Sequence, residues 1–221
     1  MDKAEFVSKL LRWTGERGIP FSPEQAGRCF AHAAFMVEWN RRSNLTSITD
    51  FGEILVRHVL DSIIPGWELP TEGFALDVGC GAGYPGIPLK VLHPGLEMWL
   101  LESNRKKVSF LKAVLACIPL SGAHALRGRW EEVVASGDLF PGAGADLVTM
   151  RALRLEAAHL EELAPAILRP GGIFAWWGGP GAESAGELPP EGTRMKADRA
   201  IGYGLPGALR TRRVYTWKKI A

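Results

Sequence analysis

The residues best suited to chemistry lie in one stretch, Phe74-Ala-Leu-Asp-Val-Gly-Cys-Gly-Ala-Gly-Tyr-Pro-Gly86. Its apolar start, carrying Asp77, reads as a buried strand. Gly79, Gly81 and Gly83 follow at alternate positions, and Pro85 suits the first turn of a helix opening near Gly86. Strand, glycine turn and helix form the first unit of a Rossmann-like nucleotide site, where backbone without side chains lets a ligand come close. A dinucleotide fingerprint needs a third glycine where this chain has Tyr84, and no GxxxxGK[ST] phosphate loop occurs. What remains is Asp77, two residues before the first glycine, and a second acid, Glu102, closing the apolar run Met98-Trp-Leu-Leu101. An acid at that strand end can accept both ribose hydroxyls. Asp77 beside the turn suits a cationic, phosphate-free ligand such as S-adenosylmethionine. The competing reading is a tight strand–helix turn with no ligand. Cys80, inside the turn, is a small filler in this reading and not a nucleophile.

The surrounding pattern must hold that turn in place. Strands are expected at 74–78, 97–102, 123–127, 145–150 and 172–177, and helices at 86–92, 104–117, 130–136 and 155–168. Such alternation implies an α/β fold with a mainly parallel sheet, covered on both faces and binding ligands at the carboxyl ends of its strands. Residues 197–203 and 209–217 read as two late strands making an antiparallel edge, and Arg169-Pro-Gly-Gly172 as a turn. Gly178 to Pro190 reads as a mobile loop. Ahead of the sheet, residues 3–17 make an amphipathic helix, and Ser22-Pro-Glu-Gln25 is a capping box opening a second helix through Trp39. Asp50 with Glu53 caps a third, ending near Ile64. The expected organisation is a helical extension, 1–70, packed on a domain at 71–221 as one compact unit.

Composition narrows the classes. The chain has 221 residues, 47% of them apolar, enough for a substantial core. A net charge of +2 is too mild to indicate a nucleic-acid partner by itself. No apolar run approaches the ~18 residues of a membrane span. The scattered Cys29, Cys80 and Cys117 argue against disulfides and metal clusters, and suit a reducing cytoplasm.

Several further segments together resemble one bacterial family, the small-subunit (16S) ribosomal RNA guanine-N7 methyltransferases, also called glucose-inhibited division protein B. They are Trp39-Asn-Arg-Arg-Ser-Asn-Leu-Thr46, Ile54-Leu-Val-Arg-His-Val-Leu-Asp-Ser62, Asp77 to Pro88, Leu101-Glu-Ser103, Arg105 to Leu111, Gly128-Arg-Trp-Glu-Glu132, Thr149-Met-Arg-Ala152 and Leu168-Arg-Pro-Gly-Gly172. The resemblance implies a class I methyltransferase fold and S-adenosylmethionine as cofactor. It implies cofactor contacts from Gly79, Tyr84, Trp130, Glu131 and Arg151, with Glu102 and Ser103 at the ribose-binding strand end; Asp77, Gly81 and Gly83 join them from the reading of the turn itself. The competing reading for Glu131 is an ordinary acid favoured by the dipole in a helix's first turn. One departure stands out: Trp176-Trp177 precede the glycines where many relatives have a lysine.

Methyl transfer to guanine N7 attacks with a lone pair that carries no proton. No general base is therefore expected, and the rate must come from positioning and electrostatics. Arg151 is the leading catalytic candidate, with Arg129 at the cleft rim and Arg212 by resemblance; arginine can bond guanine O6 or grip phosphate in two places. Arg57, His58 and Asn44 are substrate-binding candidates, though His58 can instead hold the extension to the sheet and Asn44 can cap a turn. Trp176 and Trp177 are either core or a platform for a flipped base. Basic clusters at Arg41-Arg42, Arg105-Lys106-Lys107 and from Arg194 to Lys219 supply phosphate contacts. The expected partner is small-subunit ribosomal RNA, free or within the assembled subunit, with no metal and no membrane, and the chain is expected to be a monomer. Two other readings use the same features: methylation of a small molecule or protein, and a non-catalytic ribosome-assembly module that binds RNA.

Overall fold

The computed structural model describes residues 1–220 except 44, 137–143 and 179–192. Seven strands form one sheet in the order β3-β2-β1-β4-β5-β7-β6. They are β1 (Glu72–Val78), β2 (Gly95–Glu102), β3 (Ala123–Arg127), β4 (Ala145–Arg151), β5 (Leu168–Trp177), β6 (Met195–Tyr203) and β7 (Arg212–Lys219). The first five run parallel, and β7 and β6 add the antiparallel edge expected for the tail. The strand order reverses between β1 and β4, the place where such sheets open a crevice for ligands.

Local signals explain the helices. In α1 (Lys3–Gly15) the Asp2 carboxylate accepts from the Glu5 amide at 2.9 Å. In α2 (Pro23–Ser43) the capping box closes both ways, Gln25 N to Ser22 Oγ at 3.1 Å and Ser22 N to Gln25 Oε1 at 2.8 Å. The helix runs one turn beyond Trp39. Asp50 caps α3 (51–66) through the Glu53 amide at 2.9 Å. Its middle turns, Leu55–Leu60, widen to π-helical spacing, which the sequence does not signal. The remaining helices are α4 (Gly86–Leu92), α5 (Arg105–Cys117), α6 (Trp130–Ser136) and α7 (159–167).

One expected turn lies inside a strand. Arg169-Pro-Gly-Gly172 belongs to β5, where pairing with β4 jumps from Ala145–Leu168 to Leu147–Ile173. Pro170 offers no amide to a ladder and Gly171 sits at φ +80°, so the segment is accommodated as a bulge.

The sheet has an apolar cluster on each face. One gathers Phe6, Leu10, Met36, Ile54 and Leu60 from α1–α3 with Ala75, Leu147, Ala175 and Trp177 from the strands. The other joins Leu76, Val78, Val148, Met150 and Trp176 to α6 and α7. Side chains alternate across a strand, so Asp77, Thr149 and Arg151 share the extension-side face with Ala75, Leu147 and Trp177. Among the described residues no helix is long and apolar enough to cross a membrane.

Candidate active site

The glycine turn is pinned from three directions. Cys80 N donates to Leu101 O at 3.2 Å, tying the turn to β2. Gly81 N donates to Glu102 Oε2 at 3.1 Å, and Asn104 N donates to Glu102 Oε1 at 2.7 Å. Gly86 N donates to Asp77 Oδ2 at 2.7 Å, an approach that a Cβ at Gly86 would obstruct. Gly79 and Gly81 lie at φ +64° and +60°, the left-handed region that glycine enters freely. A Cβ on Gly79 would stand 2.6 Å from Leu153 Cδ1, whereas one on Gly81 would meet open space.

Beside the turn is a cavity of about 320 Å³. Gly79, Glu102, Ser103, Arg129, Trp130 and Glu131, all candidates from the sequence, line it. So do Val78, Leu101, Lys107, Gly128, Leu153 and His159, which sequence reasoning did not select for this cleft. In the sequence Lys107 stands out as part of a basic cluster and of the resembling stretch Arg105 to Leu111, neither of which points to this cleft, and nothing local marks Leu153 or His159. Burial leaves the Trp130 Nε1 donor without a protein partner, and His159 stacks on the same indole at 5.3 Å. Glu102 is only 6% exposed; each oxygen has one amide donor and keeps lone-pair capacity for another. A nucleoside fits these residues: a carboxylate for hydroxyls, an aromatic wall with an unused N–H, and open space over Gly81.

Other candidates gather across the sheet's carboxyl edge, on the extension side. Arg151 Nη2 lies 3.0 Å from Asp61 Oδ2 as an ion pair, donates to Arg57 O at 2.6 Å and stands 3.3 Å from His58 Nδ1. Its Nη1 is buried with no protein partner. Arg212 Nη1 and Tyr203 Oη both donate to Asp61 Oδ1, at 2.9 and 2.7 Å. Tyr84 stands between His32 and His58, ring centroids 4.6 and 4.7 Å away. The Arg57 side chain pairs with Glu53 at the surface. Of the residues expected to contact the cofactor, Asp77, Gly81, Gly83, Tyr84 and Arg151 do not line the 320 Å³ cavity; the Asp77 carboxylate is buried and taken up by Gly86 N and Thr149 Oγ1. Asn44 lies outside the described residues, as does most of the loop expected at 178–190. Trp176 and Trp177 are 7% and 5% exposed, and their indole N–H groups donate to Leu153 O and Asp61 O, which places both in the core.

Burial shapes the ionisation here. Desolvation lifts the Asp77 carboxyl to about 7 against the hydrogen bonds from Thr149 and Gly86 that lower it. Desolvation and the Arg151 charge push His58 down to about 3, so its imidazole is neutral across the physiological range. The Cys80 thiol is driven well upward by burial and stays protonated, as befits a filler. Among the described residues no group of three metal-ligating side chains occurs.

Residues 28–208 match the family model described as rRNA small subunit methyltransferase G. The chain belongs to that family. A curated relative, Ribosomal RNA small subunit methyltransferase G 1 of Syntrophobacter fumaroxidans, is 50% identical over 95% of this chain and 94% of its own length. Ribosomal RNA small subunit methyltransferase G of Moorella thermoacetica is 39% identical over 81% of this chain and 73% of its own. Among solved structures, P. horikoshii TYW2 in complex with MeSAdo superposes with a TM-score of 0.53 at 13% identity, covering 74% of this chain and 62% of that one, a likeness of fold. As a methyltransferase G family member the chain is an S-adenosylmethionine-dependent enzyme with the class I fold.

Proposed function

We propose that this chain methylates N7 of a guanine in a small-subunit (16S) ribosomal RNA loop near the decoding site. The observation that carries the reading is the match along 95% of the chain to a relative named as a small-subunit ribosomal RNA methyltransferase. S-adenosylmethionine would supply an electrophilic methyl group on a sulfonium centre. Glu102, Ser103, Trp130 and Glu131 would hold its nucleoside part, with Gly79 and Gly81 leaving room beside it.

The two sides of the sheet edge then divide the work. The cavity by β2 and α6 serves the donor. The face bearing Arg151, Arg212 and His58 receives the base, and the glycine turn lies between. Arg151 is held by Asp61, Arg57 O and His58, so it reaches the acceptor without first losing rotamer freedom. Its unpartnered Nη1 is a donor suited to guanine O6. Asp61 offsets the arginine charge, which matters because the base becomes cationic as N7 is methylated. N7 carries no proton, and the nearby acid–base groups are already engaged. His58 is neutral with Nδ1 facing Arg151, and both Asp77 oxygens accept hydrogen bonds.

The test is methylation of small subunits from a strain lacking the modification, with labelled donor, followed by mapping. One 7-methylguanosine in the small-subunit RNA is expected. Label in protein, or at an exocyclic nitrogen of the RNA, would overturn the proposal.

A further inference from the structure

A second depression lies outside the site described so far. Between the C-terminal end of α2 and the first turn of α5 is a groove of about 990 Å³. Its floor is aromatic. Phe35 and Trp39 stack at 5.7 Å, and both pack on Phe110, which is fully buried. Its rim is cationic. Arg42, Arg105 and Lys106 are exposed there, and among the described residues none has an ion-pair partner. The one acid on the rim, Glu38, is already paired with Arg41 at 2.8 Å. A rim carrying uncompensated positive charge over stacked aromatic rings is complementary to a polyanion with planar bases.

The groove and the donor cavity are lined by neighbouring residues of one stretch. Asn104, Arg105 and Lys106 line the groove, while Ser103 and Lys107 line the cavity, so one turn of chain forms a shared wall. Asn104 Oδ1 caps that turn by accepting from the Lys106 and Lys107 amides at 2.9 and 3.3 Å, which fixes where both lysines start. The aromatic floor of the groove, Phe35, Trp39 and Phe110, belongs to the apolar cluster on the extension side of the sheet.

We infer that this groove binds a single-stranded stretch of the substrate RNA, its phosphates on Arg42, Arg105 and Lys106 and a base over Trp39, away from the methylated nucleotide. The inference rests on the reading of RNA as the substrate and adds a positioning site to it. Such a contact anchors the strand and contributes to affinity, leaving the chemical step to the residues at the sheet edge.

The experiment compares wild type with the Arg42→Ala/Lys106→Ala double variant, whose lost side chains are exposed. Unmodified small subunits serve as methyl acceptor, and protein-free 16S ribosomal RNA as binding probe. The variant should keep its affinity for S-adenosylmethionine and its kcat, while KM rises about tenfold. On protein-free RNA the slope of log affinity against log salt should fall by roughly 1.4, from about 0.7 per single-strand phosphate contact. A merely structural role would not move that slope. Unchanged KM and slope in a wild type that does label RNA would overturn the groove alone. A wild type that labels no RNA would bring down the substrate reading and this inference with it. A raised KM on subunits with an unchanged slope on bare RNA would point to a ribosomal protein in the groove, and that also overturns the inference.

Discussion

Glu102 shows how one carboxylate can organise a turn and still serve a ligand. Its two oxygens hold the Gly81 and Asn104 amides, and a charge-assisted hydrogen bond is worth about 1.5–3 kcal/mol. Glu102→Gln keeps the shape but loses the charge and one acceptor. The dissociation constant for S-adenosylmethionine should rise about 10- to 100-fold by calorimetry, with the far-ultraviolet spectrum unchanged. Asp77 makes a different case, because its carboxyl is raised from 3.8 to about 7 in the fold. A raised acid favours the protonated folded state. Stability from this group is therefore greatest below pH 3.8 and is lost as pH climbs toward 7, by roughly 4 kcal/mol at 1.36 kcal/mol per unit. Asp77→Asn can still accept from the Gly86 amide and donate to Thr149 Oγ1. The variant should be more stable than wild type at pH 8 and should lose that slope. Urea midpoints at pH 5 and pH 8 check this, and a parallel pair of curves would contradict it.

The glycine turn and its acids were legible because they lie within one strand–turn–helix unit whose signals are local. Asp61 was not. Spacings of four and three residues from Arg57 and His58 mark only a shared helix face, yet its carboxylate gathers Arg151 from β4, Tyr203 from β6 and Arg212 from β7. Those partners stand 142 and 151 residues away for Tyr203 and Arg212, separations at which no sequence periodicity operates. For the same reason Trp176 and Trp177 looked like possible stacking platforms until the structure gave their N–H groups core acceptors. The bulge at 169–172 escaped because Pro and Gly signal a break without saying whether the strand resumes. Removing Asp61 leaves Arg151 uncompensated at 15% side-chain exposure, and breaking a buried pair typically costs about 3–5 kcal/mol. Asp61→Ala should lower stability by about 3 kcal/mol in urea unfolding. It should also lower kcat, since Arg151 loses its anchor, while affinity for S-adenosylmethionine on the other face changes little. An equal loss of both would mean that the two faces are not separate.

The helices before the sheet invite description as an appendage, but their packing makes them part of its core. Phe6, Leu10 and Met36 are fully buried in the cluster that includes Ala75, Leu147 and Ala175. Full burial of such side chains contributes about 1.5–3 kcal/mol each, so these three account for roughly 5–9 kcal/mol. That is comparable to the whole stability of an ordinary domain, about 5–15 kcal/mol. Polar contacts add to the coupling. Gln25 Nε2 donates to Val91 O at 2.7 Å, and His32 Nε2 bonds Ala82 O at 2.7 Å, reaching the glycine turn directly. His32 also forms one wall around Tyr84. A chain lacking residues 1–43 would uncover α4, Tyr84 and the extension face of the sheet together. It should show no cooperative thermal transition and no binding of S-adenosylmethionine, although none of the deleted residues lines the donor cavity. A truncated chain that melts cooperatively within a few degrees of the full one, or that binds the donor as tightly, would show that residues 44–221 stand alone. In that event the groove between α2 and α5 would be an interface between two units and not a feature of one.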